Sequence, residues 1–82
     1  MAGNEALIAG IDHAIAGNWE AAHKVAQSNE ADRDYCWLHA ILHKTEGDES
    51  NARYWYRRSG HAFEAYVDPK AELAAMKAAL TY

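Results

Sequence analysis

The amino-acid sequence predicts an all-α domain of five helices: two antiparallel helical hairpins followed by a C-terminal capping helix. Three observations carry this expectation. Apolar residues recur at spacings of three and four, as in Leu7, Ile8, Ile11, Ala14 and Ile15, which is the stripe of an amphipathic helix. Two such runs stop at a glycine followed by a side chain able to cap a new helix, Gly17-Asn18 and Gly47-Asp48. Two residues are too few for anything but a reversal, so each pair of helices must fold back on itself. Finally, a shift of about 30 residues brings one half of the chain onto the other.

In chain order, Met1 to Gly3 are expected to be loose, and Asn4 is placed to cap a first helix with Glu5 near its positive end. Gly17 ends that helix, because the position after a helix often takes a positive φ that glycine adopts cheaply. Asn18 caps a second helix, Trp19 to about Ser28, whose inward stripe is Trp19, Ala22, Val25 and Ala26; Glu20 stands four residues before Lys24 as an exposed pair. A short polar loop follows, with Asn29 and Asp32 as competing caps. The third helix runs from about Arg33 to Glu46, and Asp48 caps a fourth from Glu49 to about Arg58, stopped by Gly60. Its inward stripe is Ala52, Trp55, Tyr56 and Ser59. Residues 60 to 67 form the longest irregular stretch, with Phe63 and Tyr66 as expected anchors. Asp68-Pro69 starts the last helix, a capping acid before a proline at the first helical position, with Leu73, Met76 and Leu80 on one stripe. The first hairpin thus covers about residues 4–28, the second 33–59, and the cap helix 69–80.

The 30-residue shift places Ile11 on Ile41, His13 on His43, Gly17 on Gly47 and Ala22 on Ala52, and aligns both helix ends. Gly47-Asp48, Ala52, Tyr56 and the string Asn51-Ala52-Arg53-Tyr54-Trp55-Tyr56-Arg57-Arg58 resemble the second half of a tetratricopeptide or Sel1-like repeat. The resemblance covers residues 35–60 well and 7–26 weakly. The chain departs from those families in its 30-residue period, in lacking a proline that closes the second helix, and in lacking a glycine-rich inter-helix loop. The run from His39-Ala40-Ile41-Leu42-His43 through Glu46-Gly47-Asp48 to Arg58 also looks like a group of small uncharacterised helical proteins. Both likenesses imply a fold; the first also implies a surface that binds other proteins.

Composition excludes several function classes. A net charge of −4 argues against general nucleic-acid binding, which requires a basic face. The single Cys36 has no internal disulfide partner, and no stretch approaches the roughly 20 apolar residues of a membrane span, so the expectation is a cytoplasmic protein without membrane contact. An 82-residue domain buries only about 60–65% of its unfolded surface, which makes dense aromatic packing or self-association useful.

No enzyme signature appears, and no cofactor motif. On the third helix Trp37, Leu38, Ile41 and Thr45 share one side, while Tyr35, Cys36, His39, His43 and Glu46 share the other, as expected of a central helix. His39 and His43, four residues apart, can aim two imidazoles at one metal ion, with Cys36 or Glu46 near enough to be a third ligand. A pair of histidines without a second ligand pair is a weak metal motif, and a Cys36–His39 couple lacks the orienting third group that nucleophilic catalysis needs. Arg53, Arg57 and Arg58 beside Tyr54, Trp55 and Tyr56 could grip an anion; the plainer reading pairs Arg53 with Glu49, returns Arg57 or Arg58 to Glu46 or another acid at the hairpin turn, and places Trp55 and Tyr56 in the core. His13 and His23 fall outside the apolar stripes and are expected at the periphery.

These features lead to a non-enzymatic interaction module. In tetratricopeptide-like packing the first and third helices would line a shallow groove holding His13, His39, His43 and Glu46, with Tyr54, Arg57 and Arg58 as further binding candidates. The partner would be a protein, or a second copy of the chain in a homodimer. The alternative is a metal-binding protein using His39 and His43.

Overall fold

The computed structural model describes residues 4–81 and, within them, five helices and no strand. They are α1 (Glu5–Ile15), α2 (Trp19–Gln27), α3 (Arg33–Thr45), α4 (Glu49–Ser59) and α5 (Pro69–Thr81), with a 3-10 turn at Phe63–Ala65. The expectation for Met1 to Gly3 lies outside the described residues. None of these helices is long and apolar enough to cross a membrane.

The two hairpin turns repeat each other bond for bond at the 30-residue offset. Gly17 and Gly47 both sit at φ +86°. The Asn18 N–H donates to the His13 carbonyl and the Gly17 N–H to Ala14; Asp48 and Gly47 do the same to His43 and Lys44. This is the Schellman closure, in which a left-handed residue lets the chain satisfy the last helical carbonyls before reversing. An added Cβ at either glycine would meet nothing, so the constraint there is backbone conformation alone.

Helix starts follow the expected chemistry at four of five positions. Asn18 accepts from the Ala21 N–H, Asp48 from Asn51, Asp68 from Lys70, and Asp32, the winner over Asn29, from Asp34 and Tyr35. Asn4 is the correction: its side chain caps nothing and instead donates to the Leu80 carbonyl at 3.3 Å, tying the start of α1 to the end of α5. The Glu20–Lys24 pair is likewise not among the ion pairs of the described residues.

Packing is organised around α3, whose residues 35–43 are all buried and which touches each of the other four helices. The closest approach falls at Gly10 on α1, where a Cβ would lie 2.7 Å from Val25 Cγ1 and 3.1 Å from Leu38 Cδ2. Any side chain there would push α1 off α2 and α3. The last helix, α5, packs against α1 and α3, so those two helices do not line an open groove. Its contact with α3 is a buried polar node. Glu72, 1% exposed, accepts from Trp37 Nε1 at 2.8 Å, from the Tyr56 hydroxyl at 2.8 Å and from Lys44 Nζ at 2.8 Å. Lys44 also donates to the Phe63 and Tyr66 carbonyls, which folds the irregular segment back over the second hairpin. Phe63 anchors that segment by an edge contact with Tyr56; Tyr66 contributes its carbonyl, and its exposed ring does not act as the expected anchor.

Candidate functional site

The opposite side of α3 carries the second polar cluster. His39 and His43 are separated by one helical turn, which stacks their rings at 5.0 Å. They face α2 and α4. From α2, His23 projects between them, its Nε2 3.1 Å from His39 Nε2 and its ring centroid 5.5 Å from that of His43. One ring nitrogen from each of the three lies within 4.8 Å of the other two. The packing of the first hairpin on the second brings this about: α2 lies alongside α3, and His23 stands one turn beyond Trp19 on the face α2 turns toward α3.

Each ring is held from behind. Trp19 stacks on His23 at 4.5 Å and is itself fixed by an Nε1 bond to the Leu42 carbonyl at 2.8 Å. Trp55 of α4 stacks on His39 at 3.9 Å and 11°. His43 binds the Glu46 carboxylate through Nδ1 at 2.7 Å, which leaves its Nε2 as the free nitrogen. A carboxylate on one ring nitrogen fixes the tautomer and orientation of an imidazole and makes the other nitrogen a better donor.

The electrostatics favour the neutral forms of His39 and His23. Burial, reinforced by the neighbouring His23 and His43, pushes His39 down to about 4. Burial and the nearby His43 also lower His23, against a smaller opposing pull from Glu46 and Glu30. Unlike the Glu72 node, the cluster is not saturated. His39 is 3% exposed and its Nδ1 has no hydrogen-bond partner. An orphaned buried polar atom costs roughly 1–3 kcal/mol, and an apolar ring of the same size would avoid that cost.

The residues singled out in the sequence separate into two groups. His39, His43 and Glu46 come together. Tyr54, Arg57 and Arg58 stay on the outer face of α4. Tyr54 is 45% exposed, and Arg58 lies against the Tyr54 and Trp55 rings and donates to the Glu30 carbonyl across the α2–α3 loop. Among the described residues neither Arg57 nor Arg58 pairs with Glu46 or another acid at the turn; Arg53 does pair with Glu49 and also with Glu64. Arg57 borders an open cavity of about 310 Å³ beside Phe63 and His61. Cys36 is no third ligand, since its thiol is turned to the Glu30 carbonyl. His13 is exposed on α1 and does not join the cluster. His43, Glu46 and Asp48 form a second close group, accounted for by the His43–Glu46 bond and by Asp48 capping α4.

His23 is partly exposed, in keeping with a peripheral position, but its ring joins the cluster, which the apolar pattern did not indicate. It lies outside the apolar stripe of α2 because a stripe records greasy side chains and not every inward one. The available signal was its spacing from Trp19, an aromatic one turn earlier on which an imidazole can stack. Comparison of the chain with protein-family models, with curated proteins and with solved structures finds no match.

Proposed function

We propose that the protein binds a divalent transition-metal ion of the Zn²⁺ type, with His23, His39 and His43 as its ligands and Glu46 orienting His43. The supporting observation is the convergence of one ring nitrogen from each of three imidazoles, drawn from two helices, within 4.8 Å of one another. Imidazole suits Zn²⁺, Cu²⁺ and Ni²⁺. Nitrogens about 2.0–2.1 Å from a tetrahedral ion stand roughly 3.3–3.4 Å apart. The 3.1 Å between His23 and His39 is close to that spacing, and the His43 nitrogen lies within 4.8 Å of both and would close in on binding. Because His23 and His39 are held neutral, their lone pairs are available near neutral pH without first releasing a proton. The reading assigns binding and no reaction. A groove-type interaction module has less support, because α5 packs on the helices that would line the groove.

The test is elemental analysis and calorimetric titration of untagged protein prepared without chelator or metal-affinity resin. One equivalent of Zn²⁺ per chain is expected, with His23→Gln and His43→Gln each reducing affinity at least tenfold while leaving the helical spectrum unchanged. Uptake undiminished in His23→Gln would remove His23 from the site and the proposal with it.

A further inference from the structure

We infer that the ion held by His23, His39 and His43 keeps its fourth coordination position open to solvent, where a small monodentate anion exchanges with water. This inference rests on the metal reading above. Its first support is the ligand count. Among the described residues, no fourth His, Cys, Asp or Glu offers a donor to the three-histidine group. Three protein ligands leave a tetrahedral ion one short, the condition that separates exchangeable sites from closed structural ones.

The nearest side chains able to close the shell are committed elsewhere. Glu46 sits on His43 Nδ1 at 2.7 Å, and the lone pairs of the two imidazole nitrogens diverge, so a carboxylate bound there is directed away from an ion at Nε2. Asp48 accepts from the backbone and side chain of Asn51 at the start of α4. The Cys36 thiol is engaged by the Glu30 carbonyl. The burial pattern gives the open side: His39 and His43 are buried, while His23 is partly exposed, so the ligand triangle meets solvent along the His23 edge. Charge then selects the occupant. Three neutral imidazoles leave the ion its full positive charge, which favours an anion over a neutral donor in the fourth place.

Cobalt(II) substitution tests this directly, because its visible bands report coordination number and ligand exchange. The full-length chain is loaded with one equivalent of Co²⁺, desalted and titrated with azide and then thiocyanate. The expected result is a saturable shift in band position and intensity, with cobalt retained by the protein and the starting spectrum restored on desalting. A spectrum that neither anion changes, with cobalt still bound, would overturn the inference while leaving metal binding intact. So would a response that appears only in Glu46→Gln or Glu30→Gln, since it would identify that carboxylate as a fourth protein ligand. Absence of stoichiometric Co²⁺ uptake, measured by elemental analysis, would instead sink the metal reading and this inference together.

Discussion

The two faces of α3 carry two buried polar clusters built on opposite plans. Around Glu72, one carboxylate gathers an indole N–H, a phenol and an ammonium, and the ammonium reaches two further carbonyls. Burial, the bond to Glu72 and that carboxylate's charge all raise Tyr56 far above the usual phenol range, which keeps its hydroxyl a donor. Around His39, three rings of the same type face one another, and one buried nitrogen has no partner. A network with complementary donors and acceptors is complete in itself and holds the fold, whereas the histidine cluster is joined by one His23–His39 bond and leaves the buried His39 Nδ1 unpaired. The contrast separates scaffold from site more sharply than burial does, since both clusters are buried.

The largest effect expected from breaking the comparison is at Glu72. Glu72→Ala leaves the Lys44 ammonium, the Trp37 N–H and the Tyr56 hydroxyl without their shared acceptor, and a loss of about 3–5 kcal/mol is expected. Urea unfolding followed by circular dichroism measures it; a loss below about 1 kcal/mol would mean that the node contributes little.

The histidine side responds to acid. His39 titrates near 6.5 when unfolded and near 4 in the fold. Between those values the unfolded chain binds more protons than the folded one, so stability falls as pH drops from 6.5 toward 4 and is unaffected by this group above 6.5. The span corresponds to about 3 kcal/mol, and His23 acts in the same direction. Unfolding of metal-free protein at pH 7 and pH 4.5, beside His39→Phe, isolates the contribution: the variant should lose distinctly less. Equal losses would place the acid sensitivity elsewhere.

The smallest effect sharpens the comparison most. At pH 7 and without metal, His39→Phe keeps the stack on Trp55 and removes the orphaned nitrogen, so its stability should lie within about 1 kcal/mol of the parent or above it. Metal uptake should be lost in the same variant. A strongly destabilised His39→Phe would make His39 a structural residue like Glu72.

Much of the fold was legible before the structure, and most of the candidate site was not. Glycine and the capping side chains act within a few residues, so Gly17, Gly47, Asn18, Asp48 and Asp68 announce their turns and starts locally. Asn4 misled because a cap is optional at an end where the side chain can reach a distant carbonyl. His39 and His43 were recognisable as a pair from their spacing. The Lys44–Glu72 node has no local signature, because it joins residues on different helices, and the spacing of His23 from Trp19 signals a stack without showing that the ring meets α3.

Periodicity and turn chemistry in the sequence therefore determined five helices, two tight reversals and a central α3, since the forces that set them act over one or two helical turns. Tertiary structure alone decided that α5 would return over α1 and α3, that Glu72 would complete one face of α3, and that α2 would bring His23 to the other. Those outcomes depend on which helix faces lie opposite each other after packing, and no residue carries that information in its neighbours along the chain.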